Sequence, residues 1–103
     1  MAQAEYHVSD LPKSALDASA QFYAEHLEAV RQALGEGDLV IILPPADHDH
    51  TDWRRALARD LAREHAPARV NVIAAGDEAQ KAQLLAYLAG AKGVTGHYAE
   101  THD

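Results

Sequence analysis

The segment from Asp38 to Leu43 constrains the fold more than any other part of this 103-residue sequence. The residues from Leu39 to Leu43 are all aliphatic, and no polar residue alternates with them. A strand of this composition needs cover on both faces, which is typical of a central strand in a parallel sheet flanked by helices. Pro44 and Pro45 follow at once and end the strand, because proline cannot donate a ladder hydrogen bond.

Strand-like and helical patterns alternate along the whole chain, which favours an α/β fold. The predicted strands are Glu5–Val8, Asp38–Leu43, Arg69–Ala74 and Gly96–Glu100. The predicted helices are Ala15–Leu34, Asp52–His65 and Asp77–Ala89. The order β-α-β-α-β-α-β, joined by right-handed crossovers, predicts a three-layer Rossmann-like sandwich. A small parallel sheet would carry helices on both faces, and residues 1–103 would form a single domain.

Two of the predicted helices carry apolar seams at heptad-like spacing. The chain is rich in alanine, so the core it can build is thin, and association with another chain would add stability. We therefore predict that the seam residues form a subunit interface: Leu16, Ala20, Tyr23, Leu27, Val30, Trp53, Leu57 and Leu61.

Composition excludes several classes of protein. The formal net charge is −7, whereas a surface that binds duplex nucleic acid needs clustered Lys and Arg. The longest apolar run, from Leu39 to Pro45, is far shorter than the ~20 residues of a membrane span. The sequence has no cysteine, and its first residues lack the basic and apolar stretches of a signal peptide. We expect a cytoplasmic protein that binds neither nucleic acid nor membranes.

The loop from Asp47 to Asp52 is the densest cluster of candidate metal ligands. Imidazole and carboxylate groups bind zinc or nickel, so His48, His50 and Asp52 are the predicted ligand set. The loop follows a strand, at the edge where open α/β sheets place their sites. The alternative is that these residues form a solvated loop that caps the next helix.

Four arginines lie along the helix that follows this loop: Arg54, Arg55, Arg59 and Arg63. Asp60 and Glu64 lie between them, which favours a solvated face with ion pairs one turn apart. The alternative is a docking surface for an acidic partner.

The segment from Leu61 to Gly76, LAREHAPARVNVIAAG, is similar to the "LAxELAPxxIRVNxIxPG" pattern of the short-chain dehydrogenases/reductases. Gly93–His97 resembles the "ITGQ" part of that family's closing segment. The two segments occur in the family's order, and the resemblance covers roughly residues 15–100. The chain therefore resembles the C-terminal half of such an enzyme.

Compared with the family it resembles, the chain is expected to lack the residues that bind the cofactor and catalyse the reaction. The glycine-rich TGxxxGxG turn that binds the cofactor has no counterpart, so no cofactor is predicted. The family's catalytic serine aligns near Pro44, and its tyrosine and lysine align near Asp47 and Thr51. The family's helix asparagine aligns near Asp17. No catalytic residue is therefore predicted.

The resemblance also implies assembly, because the retained helices are those that form the family's dimer interfaces. The leading hypothesis is a non-catalytic domain that forms a homodimer or joins a dehydrogenase-like protein as an accessory subunit. The alternative is a small metal- or ligand-binding enzyme or sensor that uses the Asp47–Asp52 loop.

Overall fold

The computed structural model describes residues 3–101. Their four strands form one parallel sheet. The strands are β1 (Ala4–His7), β2 (Leu39–Ile42), β3 (Val70–Ala74) and β4 (Tyr98–Glu100), in that spatial order. The helices are α1 (Ala15–Glu25), α2 (Leu27–Leu34), α3 (Thr51–His65) and α4 (Glu78–Gly90). A single 3-10 turn, His48–His50, precedes α3. The predicted α/β class is confirmed.

Helices cover both faces of the two central strands, as the unbroken apolar sequence of β2 predicted. Leu39 and Ile41 pack on one face with residues of α1, α2 and α3. Val40 and Ile42 point to the other face, where they pack with Leu88 of α4. Successive side chains of a strand point to opposite faces, so α4 lies opposite the other three helices. The three predicted layers are therefore present.

The third layer exists because one crossover differs in hand from the other two. The strands follow each other across the sheet in sequence order, so every crossover steps in the same direction. The first two crossovers run over one face and the third runs over the other. The connection β3–α4–β4 therefore has the opposite hand. The expectation of right-handed crossovers throughout is wrong, since they would have placed all helices on one face.

The long helix predicted over Ala15–Leu34 is interrupted at His26. The backbone of His26 leaves the helical range, with φ of −120° and ψ of −22°. Its ring Nδ1 lies 2.8 Å from the phenol oxygen of Tyr6 on β1. This tertiary contact holds the ring against the first strand at the point where the helix is interrupted.

Asn71 of β3 anchors the loop that leads into β4. Its side chain is buried, its Nδ2 donates to the carbonyl of Val94 at 3.1 Å, and its Oδ1 accepts from the His97 amide at 3.1 Å. Thr95 Oγ1 accepts from the Val70 amide at 3.0 Å. Buried polar groups are rarely left unpaired. These bonds join β3 directly to the segment from Val94 to His97.

Arg69 links the start of β2 to the end of α4. Its amide and its Nε donate to the two carboxylate oxygens of Asp38 at 2.8 and 2.9 Å. Its Nη1 donates to the carbonyls of Leu88 and Ala91 at 3.1 and 2.7 Å. The amide and guanidinium of Arg69 hold the pKa of Asp38 below its ordinary value.

Replacing Asp38 by asparagine tests this link through its pH dependence. A carboxylate with a depressed pKa in the folded state stabilises the protein at neutral pH, and this contribution disappears as the pH falls below about 4. Asp38→Asn should lower the free energy of unfolding at pH 7 by about 1–2 kcal/mol. Between about pH 5 and pH 2, the free energy of unfolding of this variant should also fall less than that of the wild type, as measured by urea unfolding.

The matched control is Asp10→Asn, which changes an exposed carboxylate in the β1–α1 loop. This variant should follow the wild-type pH profile. An Asp38→Asn protein with the full acid-dependent loss of the wild type would show that the Arg69–Asp38 link does not set acid stability.

Candidate functional site

The carboxyl ends of β1 and β2 border a cavity of about 350 Å³. Residues 11–13 of the β1–α1 loop and residues 44–47 of the β2–α3 loop form its walls. His50 and Arg54 line it from the 3-10 turn and the first turn of α3. The cavity thus lies where open parallel sheets usually bind ligands, beyond the carboxyl ends of adjacent strands.

His50 is fixed in this wall by hydrogen bonds at both ring nitrogens. Its Nε2 lies 2.8 Å from the carbonyl oxygen of Lys13, and its Nδ1 lies 3.2 Å from the indole Nε1 of Trp53. A carbonyl only accepts and an indole N–H only donates. His50 is therefore the neutral tautomer that carries its proton on Nε2, and it joins the two loops.

The predicted metal ligands do not come together. Both nitrogens of His50 are already hydrogen-bonded, whereas the side chain of His48 is 94% exposed. Residues 3–101 contain no group of three or more His, Cys, Asp or Glu side chains placed to hold a metal ion. Asp47 accepts a hydrogen bond from the Asp49 amide and caps the 3-10 turn. This arrangement agrees with the alternative prediction, in which these residues form a solvated loop with a capping role.

The residues of the predicted interface seam are divided between the surface and the chain's own core. Val30, Leu57 and Leu61 are buried in the chain's own core, so they cannot contact another subunit. Leu27 and Trp53 are partly buried against that core. By contrast, the α1 part of the seam, Leu16, Ala20 and Tyr23, stays exposed on the surface.

Arg54 is the functional candidate that sequence reasoning missed. The sequence pattern predicts a solvated basic face for this arginine, but in the structure it is 0% exposed. Its guanidinium carbon lies 5.4 Å from the ring centroid of Trp53 and 5.7 Å from that of Tyr98. The signal was its spacing, because Arg54 precedes Leu57 by three residues and Leu61 by seven and so occupies the inward stripe of α3.

A chain of hydrogen bonds connects Arg54 to a carboxylate on β4. Its Nη1 donates to the phenol oxygen of Tyr98 at 3.1 Å, and that hydroxyl donates to Glu100 Oε2 at 3.1 Å. Burial raises the pKa of Tyr98, and the hydrogen bond from Arg54 opposes that shift. Tyr98 therefore stays a neutral phenol at physiological pH and separates the buried cation from the anion.

The sequence matches the family model of SDR-like, short chain dehydrogenase-like proteins over residues 6–101. The chain belongs to the SDR-like family. No curated protein and no solved structure matches it. The agreement covers nearly the full sequence and includes the strand β3 and the loop anchored by Asn71.

Short-chain dehydrogenases use a nicotinamide dinucleotide, but the turns at the carboxyl edge of this sheet do not fit its pyrophosphate. Such a group needs free backbone N–H donors at a helix N-terminus. The Gly76 amide already lies 3.1 Å from Thr101 Oγ1 and 3.2 Å from Gln80 Oε1. The carboxylate of Asp77 caps α4, and Pro44 and Pro45 have no N–H at all.

None of the helices within residues 3–101 is both long and apolar enough to cross a membrane.

Replacing His50 tests whether it joins the two loops. His50→Ala removes the partners of the Lys13 carbonyl and the Trp53 indole, and it should lower the free energy of unfolding by about 1–3 kcal/mol. The fluorescence emission maximum of this variant should also shift to the red. Trp53 is the single tryptophan, and its indole would gain contact with water. His48→Ala changes a side chain 94% exposed and should change neither quantity.

Equal destabilisation by the two histidine substitutions would contradict the assigned roles. A rise in melting temperature of the wild type with Ni²⁺ that both variants abolish would reinstate the metal site.

Proposed function

We propose that this protein is a non-catalytic member of the SDR-like family that acts through association with another chain. It forms a homodimer, or it joins a dehydrogenase-like protein as an accessory subunit. We further propose that the chain is a single reduced domain and that it acts in the cytoplasm. The absence of cysteine from the sequence is consistent with that location.

The exposed apolar stripe on α1 is the observation that carries the proposal. Leu16 is 82% exposed and Tyr23 is 41% exposed, and Ala20 lies between them on the same side of the helix. Large contiguous apolar patches are rare on monomeric proteins and usually mark contact surfaces. Burial against a partner would recover the hydrophobic free energy that the folded chain leaves unused.

The spacing of the stripe suits a twofold arrangement. If two α1 helices pack antiparallel, Leu16 of one protomer meets Tyr23 of the other, and the two alanines at position 20 face each other at the centre. A small residue at that point permits close approach of the helix axes. Each contact then occurs twice, as an isologous interface requires.

The positions that the resemblance assigns to catalysis support a role without hydride transfer. Pro44, at the end of β2, has no hydroxyl group. Asp47 is committed to capping the 3-10 turn, and Thr51 begins α3. A phenol activated by a neighbouring amine is the proton donor that carbonyl reduction needs, and neither Asp47 nor Thr51 can take those parts.

Sedimentation equilibrium of charge-introducing variants tests the association. Leu16→Glu should weaken self-association about a hundredfold or more, because the substitution removes one buried leucine from each half of the interface. The matched control is Tyr87→Glu, which places the same charge at a tyrosine 62% exposed on the outer surface of α4. This control should dimerise like the wild type.

A wild-type chain that stays monomeric at about millimolar concentration, and that recovers no dehydrogenase-like protein in a pull-down, would contradict the proposal. A dimer broken by Tyr87→Glu and kept by Leu16→Glu would move the interface to α4 and contradict the assignment to α1.

Ligand binding beside the Asp47–Asp52 loop is a second candidate function. The cavity lined by Asp47, His50 and Arg54 favours it, although the metal-dependent form of the hypothesis lacks its ligand set.

A further inference from the structure

We infer that β1 (Ala4–His7) pairs antiparallel with β1 of a second copy of this chain and joins the two sheets edge to edge. The inference goes beyond the proposed contact through α1, because it concerns a different surface and does not require that contact. The observation behind it is an exposed sheet edge whose two outward-facing residues, Glu5 and His7, are complementary to each other.

The outer edge of β1 presents main-chain groups that have no partner strand. β1 is the outermost strand of the sheet and pairs with β2 alone. The amides of Ala4 and Val8 point inward and donate to carbonyl groups on the β2 side, both at 2.9 Å. Main-chain groups of successive residues alternate between the two sides of a strand, so the N–H and C=O groups of Glu5 and His7 point outward. Among residues 3–101, no strand lies on that side.

The side chains at this edge leave it accessible. Those of Glu5 and His7 are 44% and 52% exposed. They lie on the sheet face that carries α4, because their register partners Val40 and Ile42 face that helix. Ala4 is exposed as well. No buried side chain has to be displaced before another strand reaches the outward main-chain groups.

The order of the two polar side chains favours one register of self-pairing. When Glu5 lies opposite His7 of the second copy, the twofold axis also places His7 opposite Glu5 of that copy. The residues of each pair then exchange both of their outward main-chain hydrogen bonds. An imidazole can donate to a carboxylate in its neutral and in its protonated form, and complementary pairs across two strands stabilise their pairing.

The neighbouring registers lack this complementarity. Sliding the second copy by two residues in one direction places Glu5 opposite Glu5, and like charges directly opposite each other destabilise a pair of strands. Sliding it in the other direction places His7 opposite His7 and Glu5 opposite Ser9, which lies beyond the end of β1. The register that pairs Glu5 with His7 is therefore preferred.

The other face of the sheet contributes a contact between aromatic rings. Tyr6 lies at the centre of this register, where the Cα atoms of a pair without hydrogen bonds are about 4.5 Å apart. Its ring packs against the core and its hydroxyl lies 2.8 Å from His26 Nδ1, so the ring is already ordered. Two ordered tyrosine rings can pack against each other with little further loss of entropy.

The contact between the two strands is small. A strand of four residues contributes few hydrogen bonds, and an isolated pair of strands is only marginally stable. We expect a dissociation constant of about 1 mM. Pairing through β1 therefore adds to association through α1 only at high protein concentration.

Protection of the edge is the competing interpretation. Charged side chains on an edge strand commonly prevent pairing with other chains, and Glu5 and His7 already contact each other within the strand at 2.9 Å. An edge protected in this way would leave its outward amides solvated at every protein concentration. The two interpretations therefore differ in whether a second copy reaches these amides.

Disulfide trapping tests the register. The chain has no cysteine, so every thiol is an introduced one. Glu5→Cys and His7→Cys proteins are mixed, one of them labelled with ¹⁵N, and the oxidised products are separated by mass. Directly opposed residues have Cα atoms about 5.5 Å apart, within the range of a disulfide. Identical residues lie diagonally, about 7–8 Å apart, and cannot be bridged without backbone movement.

We expect the mixed disulfide between positions 5 and 7 to form about tenfold faster than either symmetric disulfide. The matched control is Tyr87→Cys, which places a thiol at a side chain 62% exposed on α4. In mixtures with either β1 variant, this control should form disulfides only at the slow rate of random collisions.

The amide resonances of Glu5 and His7 provide a test in the unmodified protein. We expect both ¹H–¹⁵N signals to move when the protein concentration rises from about 0.05 to about 1 mM. The signal of Val8, whose amide is bonded to the neighbouring strand, should move much less. Leu16→Glu should show the same changes, so a failure of association through α1 remains distinguishable from a failure of pairing through β1.

Glu5 and His7 amide signals that stay fixed up to about 1 mM would overturn the inference. So would a mixed disulfide that forms no faster than the symmetric ones, or no faster than the links to Tyr87→Cys. A symmetric Glu5→Cys disulfide that forms fastest would contradict the assigned register.

Discussion

The amide of Asn71 is the interaction on which much of this structure depends. β4 has only three residues, so its ladder with β3 is short. The bonds of Asn71 to Val94 and His97 position the loop just before that strand and thereby fix its register. Tyr98 follows His97 directly and holds Arg54 through its hydroxyl. The position of the Arg54 guanidinium therefore depends on a hydrogen-bonded amide on the opposite face of the sheet.

The region that matches the SDR-like family includes both the framework of the fold and the carboxyl edge of the sheet. Asn71 and the Arg69–Asp38 pair link the strands and helices of the framework. At the carboxyl edge, prolines, carboxylate caps and hydrogen-bonded amides leave few donors for a dinucleotide. The proposed association uses a different part of the chain, the exposed stripe of Leu16, Ala20 and Tyr23 on α1.

The strands were predictable because an unbroken aliphatic run such as Leu39–Leu43 has few alternatives, and Ser14 marked the start of α1 correctly. The interruption at His26 was not predictable, since it accompanies a contact with Tyr6 twenty residues away in sequence. The periodicity of a sequence carries no information on the hand of a crossover. The opposite hand of the β3–α4–β4 connection was therefore not predicted either. Arg54 sat on the inward stripe of its helix, but its charge suggested exposure. Proximity in sequence did not bring the proposed ligands His48 and His50 to one point, because His48 is exposed and both ring nitrogens of His50 are hydrogen-bonded.

Amide hydrogen exchange at His97 and Val70 tests most directly whether side chains of the loop and of β3 fix the last strand. The amides of these residues donate to Asn71 Oδ1 and Thr95 Oγ1, outside any strand ladder. We expect protection close to that of the Val72 amide inside β3. Asn71→Ala should abolish protection at His97 while the amide of Ile41 in β2 keeps its own. Exchange of His97 in the unmodified protein at the rate of an exposed loop amide would contradict the account.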